Sequence, residues 1–214
     1  MAFFSGLDLG QQSDYSALVV VEQSRRMDPD EGPYNAYDVR HIHRWNLGTS
    51  YPDIVKDVYN LFEMGELSQS TLVIDATGVG RPVVDMVRDS KPRANVQAYS
   101  ITCGSKEGDH TVPKIDLVGA VQSLLQNRRL RFSDALPLTP ILVAELENFR
   151  VKVTADRNET FAAGREADHD DLVLALAMAL WFGERKGGIS GPPPRPGKPI
   201  VPAYMGTSLG PKRW

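Results

Sequence analysis

Aspartates that interrupt or adjoin apolar segments are the strongest constraint on how this chain can fold. Asp8 lies within the first apolar segment, Asp75 ends the run Thr-Leu-Val-Ile-Asp, and Asp170 and Asp171 directly precede the apolar residues 172–182. A buried ionised carboxylate is costly unless it is paired or binds a metal. Any fold that buries these segments must therefore give the acids a polar partner, and their number suggests a shared cation.

Length and composition are those of a globular protein that has one core. The 214 residues suffice for one domain of roughly 180 residues and a tail. The longest apolar run, 172–182, is too short to span a bilayer, and the N-terminus has no signal-peptide pattern, so we expect no membrane association. Cys103 is the single cysteine, which excludes intrachain disulfides and cysteine zinc cages and suits a reducing compartment.

The charge of the chain is distributed unevenly. Residues 183–214 contain six lysines and arginines against one glutamate, a net charge of +5, so the remaining residues carry −8 of the total of −3. An acidic core argues against tight, sequence-independent DNA binding by the core alone. It remains compatible with a metal-dependent nuclease, because carboxylates that repel phosphate also recruit the cation that attracts it.

The hydrophobic patterns predict an α/β domain with a mixed sheet of about five strands and helices on both faces. The predicted order is strands over 3–10, 16–23 and 35–45, a helix over 52–64, a strand over 71–75, a helix to about 88, a strand over 96–101, helices over 113–127 and 138–148, a hairpin over 149–163, and a buried helix over 170–182. We therefore predict one domain over 1–183, followed by a flexible, basic, Pro- and Gly-rich tail over 184–214.

The predicted elements can bring the aspartates together. Alternation places Asp8 on one face of the first strand, and Asp75 lies at the C-terminal end of a later strand, where open α/β sheets bind their ligands. If these two strands are neighbours, both acids can flank one ion, and Asp170 and Asp171 can join them from the start of the last helix. Oxygen-only ligation suits Mg²⁺ or Mn²⁺, and two such ions can activate water against a phosphodiester. Each acid alone also fits a turn, an Asx-turn or a helix cap.

Three segments resemble the nuclease domain of the large terminase subunit of tailed bacteriophages, in the RNase H-like superfamily. They are Gly6-Leu-Asp-Leu-Gly followed by the second strand to Glu22, Leu72-Val-Ile-Asp-Ala-Thr-Gly-Val-Gly80, and the segment from Phe161 through His-Asp-Asp-Leu-Val to Ala177. The resemblance spans about 3–182. It implies an RNase H-like fold and a metal-dependent endonuclease that cuts concatemeric viral DNA during genome packaging.

The resemblance also implies roles for individual residues. Asp8, Asp75 and one or both of Asp170 and Asp171 would hold two ions per site, with Asp8 bridging both, and His169 would act beside them or at the leaving group. The implied partners are double-stranded DNA, the packaging ATPase domain, the portal and the small terminase subunit, in the host cytoplasm. The chain has no Gly-x-x-x-x-Gly-Lys-Ser/Thr loop, so we expect an excised or naturally separate domain, monomeric in isolation, without the packaging motor.

Basic residues near the acids are candidates for contacts to the DNA backbone. Four belong to the group at the predicted hairpin, one follows the loop Gly78-Val-Gly80, and three precede the fourth predicted helix: Arg150, Lys152, Arg157 and Arg165, then Arg81, then Arg128, Arg129 and Arg131. Three other interpretations remain open at this point. These are an actin- or sugar-kinase-like ATPase fragment, a Holliday-junction resolvase-like nuclease, and an RNase H-like binding module whose acids are inactive.

Overall fold

A computed structural model describes residues 1–10, 14–30, 32–63, 65–78, 80–103, 108–155 and 170–186, with the backbone alone at 80–81 and 150–155. The strands are β1 (Ala2–Asp8), β2 (Ala17–Asp28), β3 (Gly32–Arg44), β4 (Thr71–Asp75), β5 (Asn95–Thr102), β6 (Thr111–Pro113) and β7 (Leu130–Arg131). The helices are α1 (Tyr51–Phe62), α2 (Gly80–Asp89), α3 (Lys114–Gln126), α4 (Thr139–Ala155) and α5 (Asp171–Lys186). Within these residues no helix is both long enough and apolar enough to cross a bilayer.

The strands form one mixed sheet in the order β6-β5-β4-β1-β2-β3-β7. Strand β1 pairs in parallel with β4 and antiparallel with β2, and β3 pairs antiparallel with β2. The C-terminal ends of β1, β3, β4 and β5 therefore lie along one edge of the sheet. The five predicted strands form its centre, and the short strands β6 and β7, which were not predicted, extend it on either side.

The two faces of the sheet are covered by different helices, as the alternation in β1 predicts. Phe4 packs in the core under α3, α4 and α5, whereas Leu7 and Leu9 pack in the core under α1 and α2. Gly6 allows α5 to lie directly on β1, because a Cβ atom at this position would overlap the carbonyl oxygen of Ala175. This close approach brings the first turn of α5 to the end of β1, where Asp8 lies.

Besides β6 and β7, four elements differ from the sequence predictions. Strand β2 continues to Asp28 and β3 begins at Gly32, so both extend beyond the predicted bounds of 16–23 and 35–45. The hairpin predicted over 149–163 is wrong for residues 149–155, which continue α4 as helix. The run Val-Lys-Val-Thr favours a strand by local propensity, but propensity is a weak preference that the surrounding structure overrides. The rest of the predicted hairpin lies outside the described residues. Helix α5 also continues to Lys186, beyond the predicted end at 182.

Buried polar contacts fix the C-terminal end of α5 to the sheet. The guanidinium of Arg129, which is 3% exposed, donates to both carboxylate oxygens of Glu184 at 2.9 and 2.6 Å. The Tyr37 hydroxyl donates to the same carboxylate at 2.8 Å, and burial together with the charge of Glu184 raises the pKa of Tyr37. Gln23 donates to the Gly183 carbonyl. These contacts fix the C-terminal end of α5 to the sheet, whereas the aspartates lie at the N-terminal end of the same helix.

We expect Glu184→Gln to destabilise the domain, because it leaves the buried guanidinium of Arg129 without a counter-charge. The expected loss is about 2 kcal/mol in the free energy of unfolding, less than for a fully buried pair because Glu184 is partly exposed. Urea unfolding of the two proteins measures it. Asp85→Asn is the control, since it disrupts an exposed ion pair with Arg88 and should cost less than about 0.5 kcal/mol. Equal losses in the two variants would contradict this role of Glu184.

Candidate metal centre

The ends of β1 and β4 place two aspartates side by side. Leu7 pairs with Ile74 in the parallel register, so Asp8 and Asp75 follow as the last residues of neighbouring strands. Asp8 follows Phe4 and Gly6, and Asp75 follows Val73, on the face of the sheet that α5 covers. The strands that carry Asp8 and Asp75 are therefore neighbours, which is the condition under which the sequence analysis let both acids flank one ion.

Asp8 is a half-buried residue whose carboxyl group lies near other acids. Burial raises the pKa of Asp8 well above its ordinary value, and the charges of Asp75, Asp171, Asp170 and Asp14 raise it further. Among the described residues, no cation or hydrogen-bond donor contacts the Asp8 side chain. An acid held in this way lacks a counter-charge, which a bound cation would supply.

Asp75 is the last residue of β4, and its side chain also stabilises the turn that follows this strand. Its Oδ1 accepts a hydrogen bond from the backbone N–H of Thr77 at 2.8 Å, which is the Asx-turn geometry that the sequence also allows. Burial raises the pKa of Asp75, and the hydrogen bonds from Thr77 partly oppose that rise. The turn hydrogen bond fixes the orientation of the Asp75 carboxylate at this edge of the sheet.

Asp170 and Asp171 occupy different environments at the start of α5. Asp170 precedes the helix, is 31% exposed at its side chain, and lies 3.4 Å from Nζ of Lys114. Asp171 is buried and faces Arg44, whose Nη2 donates to Oδ1 at 2.9 Å and whose Nε lies 2.8 Å from Oδ2. The second contact has ion-pair distance but poor hydrogen-bond alignment. The two acids are thus held by different cations.

Glu145 of α4 is a site residue that the sequence analysis missed. Its Oε2 accepts the backbone N–H groups of Leu172 and Val173, at 3.1 and 3.3 Å, and so caps α5 from a neighbouring helix. Its Oε1 lies 3.2 Å from Nη2 of Arg44. Burial raises the pKa of Glu145 to about 7, and the charge of Asp171 adds to the rise while Arg44 opposes it.

A sequence signal for Glu145 does exist. Leu142, Leu146 and Phe149 repeat at helical spacing on the buried face of α4, and Glu145 falls on that same face. A charged residue on the apolar side of an amphipathic helix predicts a buried partner. Arg44 has no comparable signal, because a strand that ends in arginine is ordinary.

The carboxylates share one edge but do not form a ready-made cage. Within the described part of the chain, no three His, Cys, Asp or Glu side chains are arranged to hold a metal ion. Asp171 faces Arg44, and Asp75 uses one oxygen in its turn. The donor set nevertheless fits a hard divalent cation, because it consists of carboxylate oxygens and includes Asp8, a half-buried acid that no cation contacts among the described residues.

Other predicted site residues have different outcomes. His169, Arg157 and Arg165 lie outside the described residues, and the side chains of Arg81, Arg150 and Lys152 do as well, although their backbones belong to α2 and α4. The proposed DNA contact at Arg129 is wrong, since its side chain is buried against Glu184. Arg131 is paired with Asp38 at 2.6 Å.

Comparison with known proteins finds one family and several solved structures. A family model described as "Terminase RNaseH-like domain" matches residues 5–181. No curated protein matches the chain in sequence. The large terminase nuclease from thermophilic phage G20c is similar, with 23% identity over 83% of this chain and 80% of that one, at a TM-score of 0.55.

Two further structures are similar at lower identity. The large terminase of bacteriophage HK97 is 16% identical over 85% of this chain, at a TM-score of 0.52, and the match spans 39% of that longer protein. The large terminase (g2p) nuclease domain of bacteriophage SPP1, solved with bound Mn, is 14% identical over 86% of each chain, at a TM-score of 0.49. The G20c and HK97 structures share the mixed α/β fold of this chain, and the family match identifies that fold as RNase H-like.

Proposed function

Because the chain belongs to the terminase RNaseH-like domain family, we propose that it is a divalent-metal-dependent endonuclease that cuts concatemeric viral DNA during genome packaging. The observation that carries the proposal is the adjacency of Asp8 and Asp75 at the ends of paired strands, near Asp170 and Asp171, with no cation contacting Asp8 among the described residues. Family membership supports the nuclease class, and the acidic edge supports metal dependence.

The residues of the chain would divide the work of the site. Asp8, between the other acids, would bridge two ions, with Asp75 and Asp171 each holding one and Asp170 assisting from its more exposed position. Two Mg²⁺ or Mn²⁺ ions bound there would supply an activated water and stabilise the leaving oxygen of a phosphodiester. Helix α5, held at both ends by Glu145 and by Arg129, keeps Asp171 at this edge.

Substrate and partners follow from the same proposal. The substrate is double-stranded DNA, recognised with little sequence preference, and the described domain works with a packaging ATPase, a portal and a small terminase subunit in the host cytoplasm. The acidic balance of the core supports this arrangement, because affinity for DNA would then depend on partners or on residues 183–214, which carry +5.

Plasmid cleavage tests the proposed activity. Supercoiled plasmid incubated with the protein and Mn²⁺ or Mg²⁺ should be nicked or linearised, whereas chelator should prevent the reaction. Asp75→Asn should reduce cleavage at least about 10³-fold, since it removes a metal ligand that is worth several kcal/mol in the transition state. Cleavage by Asp75→Asn at the wild-type rate in Mn²⁺ would contradict the assignment, and so would unchanged cleavage in chelator.

A further inference from the structure

Arg44 lies at the same edge of the sheet as the aspartates. Ala17 of β2 pairs with Asp8 on one side and with Arg44 on the other, so Arg44 is two strands away from Asp8. Its guanidinium is only 4.1 Å from the centre of the Tyr15 ring, which covers it. The position of this cation is therefore set by the strand register and by a stacked aromatic ring.

The guanidinium faces two buried carboxylates. It contacts both oxygens of Asp171, at 2.9 and 2.8 Å, and Oε1 of Glu145 at 3.2 Å. The side chains of Arg44, Glu145 and Asp171 are 14%, 8% and 6% exposed. One positive charge thus serves two acids, and both oxygens of the proposed metal ligand Asp171 face it.

A divalent ion and the guanidinium of Arg44 therefore compete for one carboxylate. Glu145 does not depend on Arg44 alone, since its Oε2 is held by the backbone N–H groups of Leu172 and Val173. It can keep Arg44 beside the site when Asp171 turns toward an ion. It also keeps the first turn of α5 in place during that change.

We propose that Arg44 is a positioning residue that takes the place of the cation at Asp171, neutralising and orienting this carboxylate until a divalent ion displaces it toward Glu145. The inference rests on the proposed function, because it takes Asp171 to be a metal ligand. It explains why the described acids share one edge without forming a finished cage. It also makes metal affinity depend on a residue that does not bind metal.

Replacing Arg44 with glutamine tests the competition, with Arg40→Gln as the matched control. Arg40 lies on the same strand, has the same exposure, and pairs with a buried acid, Glu22, at 2.6 Å. We expect both variants to have a lower melting temperature than the wild type in chelator, because each leaves a buried carboxylate unpaired. Mn²⁺ should then raise the melting temperature of Arg44→Gln more than that of the wild type, whereas Arg40→Gln should gain as much as the wild type.

Calorimetric titration gives the corresponding affinity. The Kd of Mn²⁺ should fall in Arg44→Gln, because the ion no longer displaces a cation that is paired with Asp171. We expect at least about fivefold, the lower end of typical coupling free energies. Arg44→Lys keeps the positive charge but loses the planar guanidinium that contacts both oxygens of Asp171. Its Kd for Mn²⁺ should therefore lie between those of the wild type and Arg44→Gln. An unchanged Mn²⁺ response in Arg44→Gln would overturn the proposal. If Arg44→Gln does not fold, the test uses Arg44→Lys, and a Kd equal to or higher than that of the wild type would overturn the proposal.

The outcomes separate this inference from the proposed function. If Mn²⁺ does not stabilise the wild type, the metal centre itself is wrong. If Mn²⁺ stabilises the wild type, and Asp8→Asn abolishes the effect while Arg44→Gln leaves it unchanged, the metal centre stands and only the role of Arg44 fails.

Discussion

Asp8→Asn should abolish DNA cleavage and at the same time make the metal-free domain more stable. The loss of activity should be at least about 10³-fold, because the residue that bridges the proposed ions loses its charge. The gain in stability has a separate cause. Burial and the charges of Asp75, Asp170 and Asp171 all disfavour the ionised form of Asp8, as its raised pKa shows. The isosteric amide removes this penalty.

In chelator, the melting temperature of Asp8→Asn should exceed that of the wild type by about 2–4 °C, the shift that corresponds to roughly 1 kcal/mol in a domain of this size. Mn²⁺ should reverse the order, since it stabilises the wild type alone. Asp89→Asn makes the same chemical change at an exposed position at the end of α2 and should alter neither property. An Asp8→Asn variant that is less stable than the wild type in chelator would show that Asp8 is a structural acid.

Gly6→Ala should disrupt both the fold and the site. Its new methyl group would meet the backbone of α5 at Ala175, and backbone cannot move aside as a flexible side chain can. We expect a loss of about 3 kcal/mol in the free energy of unfolding, at the upper end for overpacking, and a fall of roughly 6–12 °C in melting temperature. The protein that remains folded should cleave poorly, because a shift of α5 moves Asp171 away from Asp8.

Gly119→Ala is the matched control for this substitution. Gly119 lies on the exposed side of α3, and a Cβ atom there meets nothing within 4 Å. Alanine should stabilise the helix by about 0.5 kcal/mol through its better propensity, with cleavage unchanged. Thermal denaturation and the plasmid assay on both variants measure the contrast. A Gly6→Ala protein with wild-type stability would mean that β1 and α5 do not approach as closely as described.

Local pattern was sufficient to predict the central elements of the sheet. The run Thr71–Asp75 was predicted with its observed bounds, and alternation in β1 assigned Asp8 to the face that α5 covers. An apolar segment preceded by acids predicted the buried helix that delivers Asp171. These features are encoded within a few neighbouring residues each, so a single sequence reveals them.

Features that depend on distant partners could not be predicted in this way. Strand β7 has two residues, and it forms because Leu130 meets Tyr37 of β3, far away in the sequence. The run Val151–Thr154 favours a strand locally but continues helix α4. Arg44 and Asp171 are separated by 127 residues, and nothing near either one indicates the other. The four aspartates could therefore be selected as candidates from the sequence, whereas Glu145 was missed and the pairing of Asp171 with Arg44 could not be predicted.

The location of bound Mn²⁺ in crystals, from its anomalous scattering, tests the central claim most directly. The proposal predicts two Mn²⁺ ions that share the Asp8 carboxylate. One of them should also bind Asp75 and the other Asp171, and the guanidinium of Arg44 should be turned toward Glu145. Mn²⁺ that binds elsewhere, or an Asp8 carboxylate without a metal contact at saturating Mn²⁺, would contradict it.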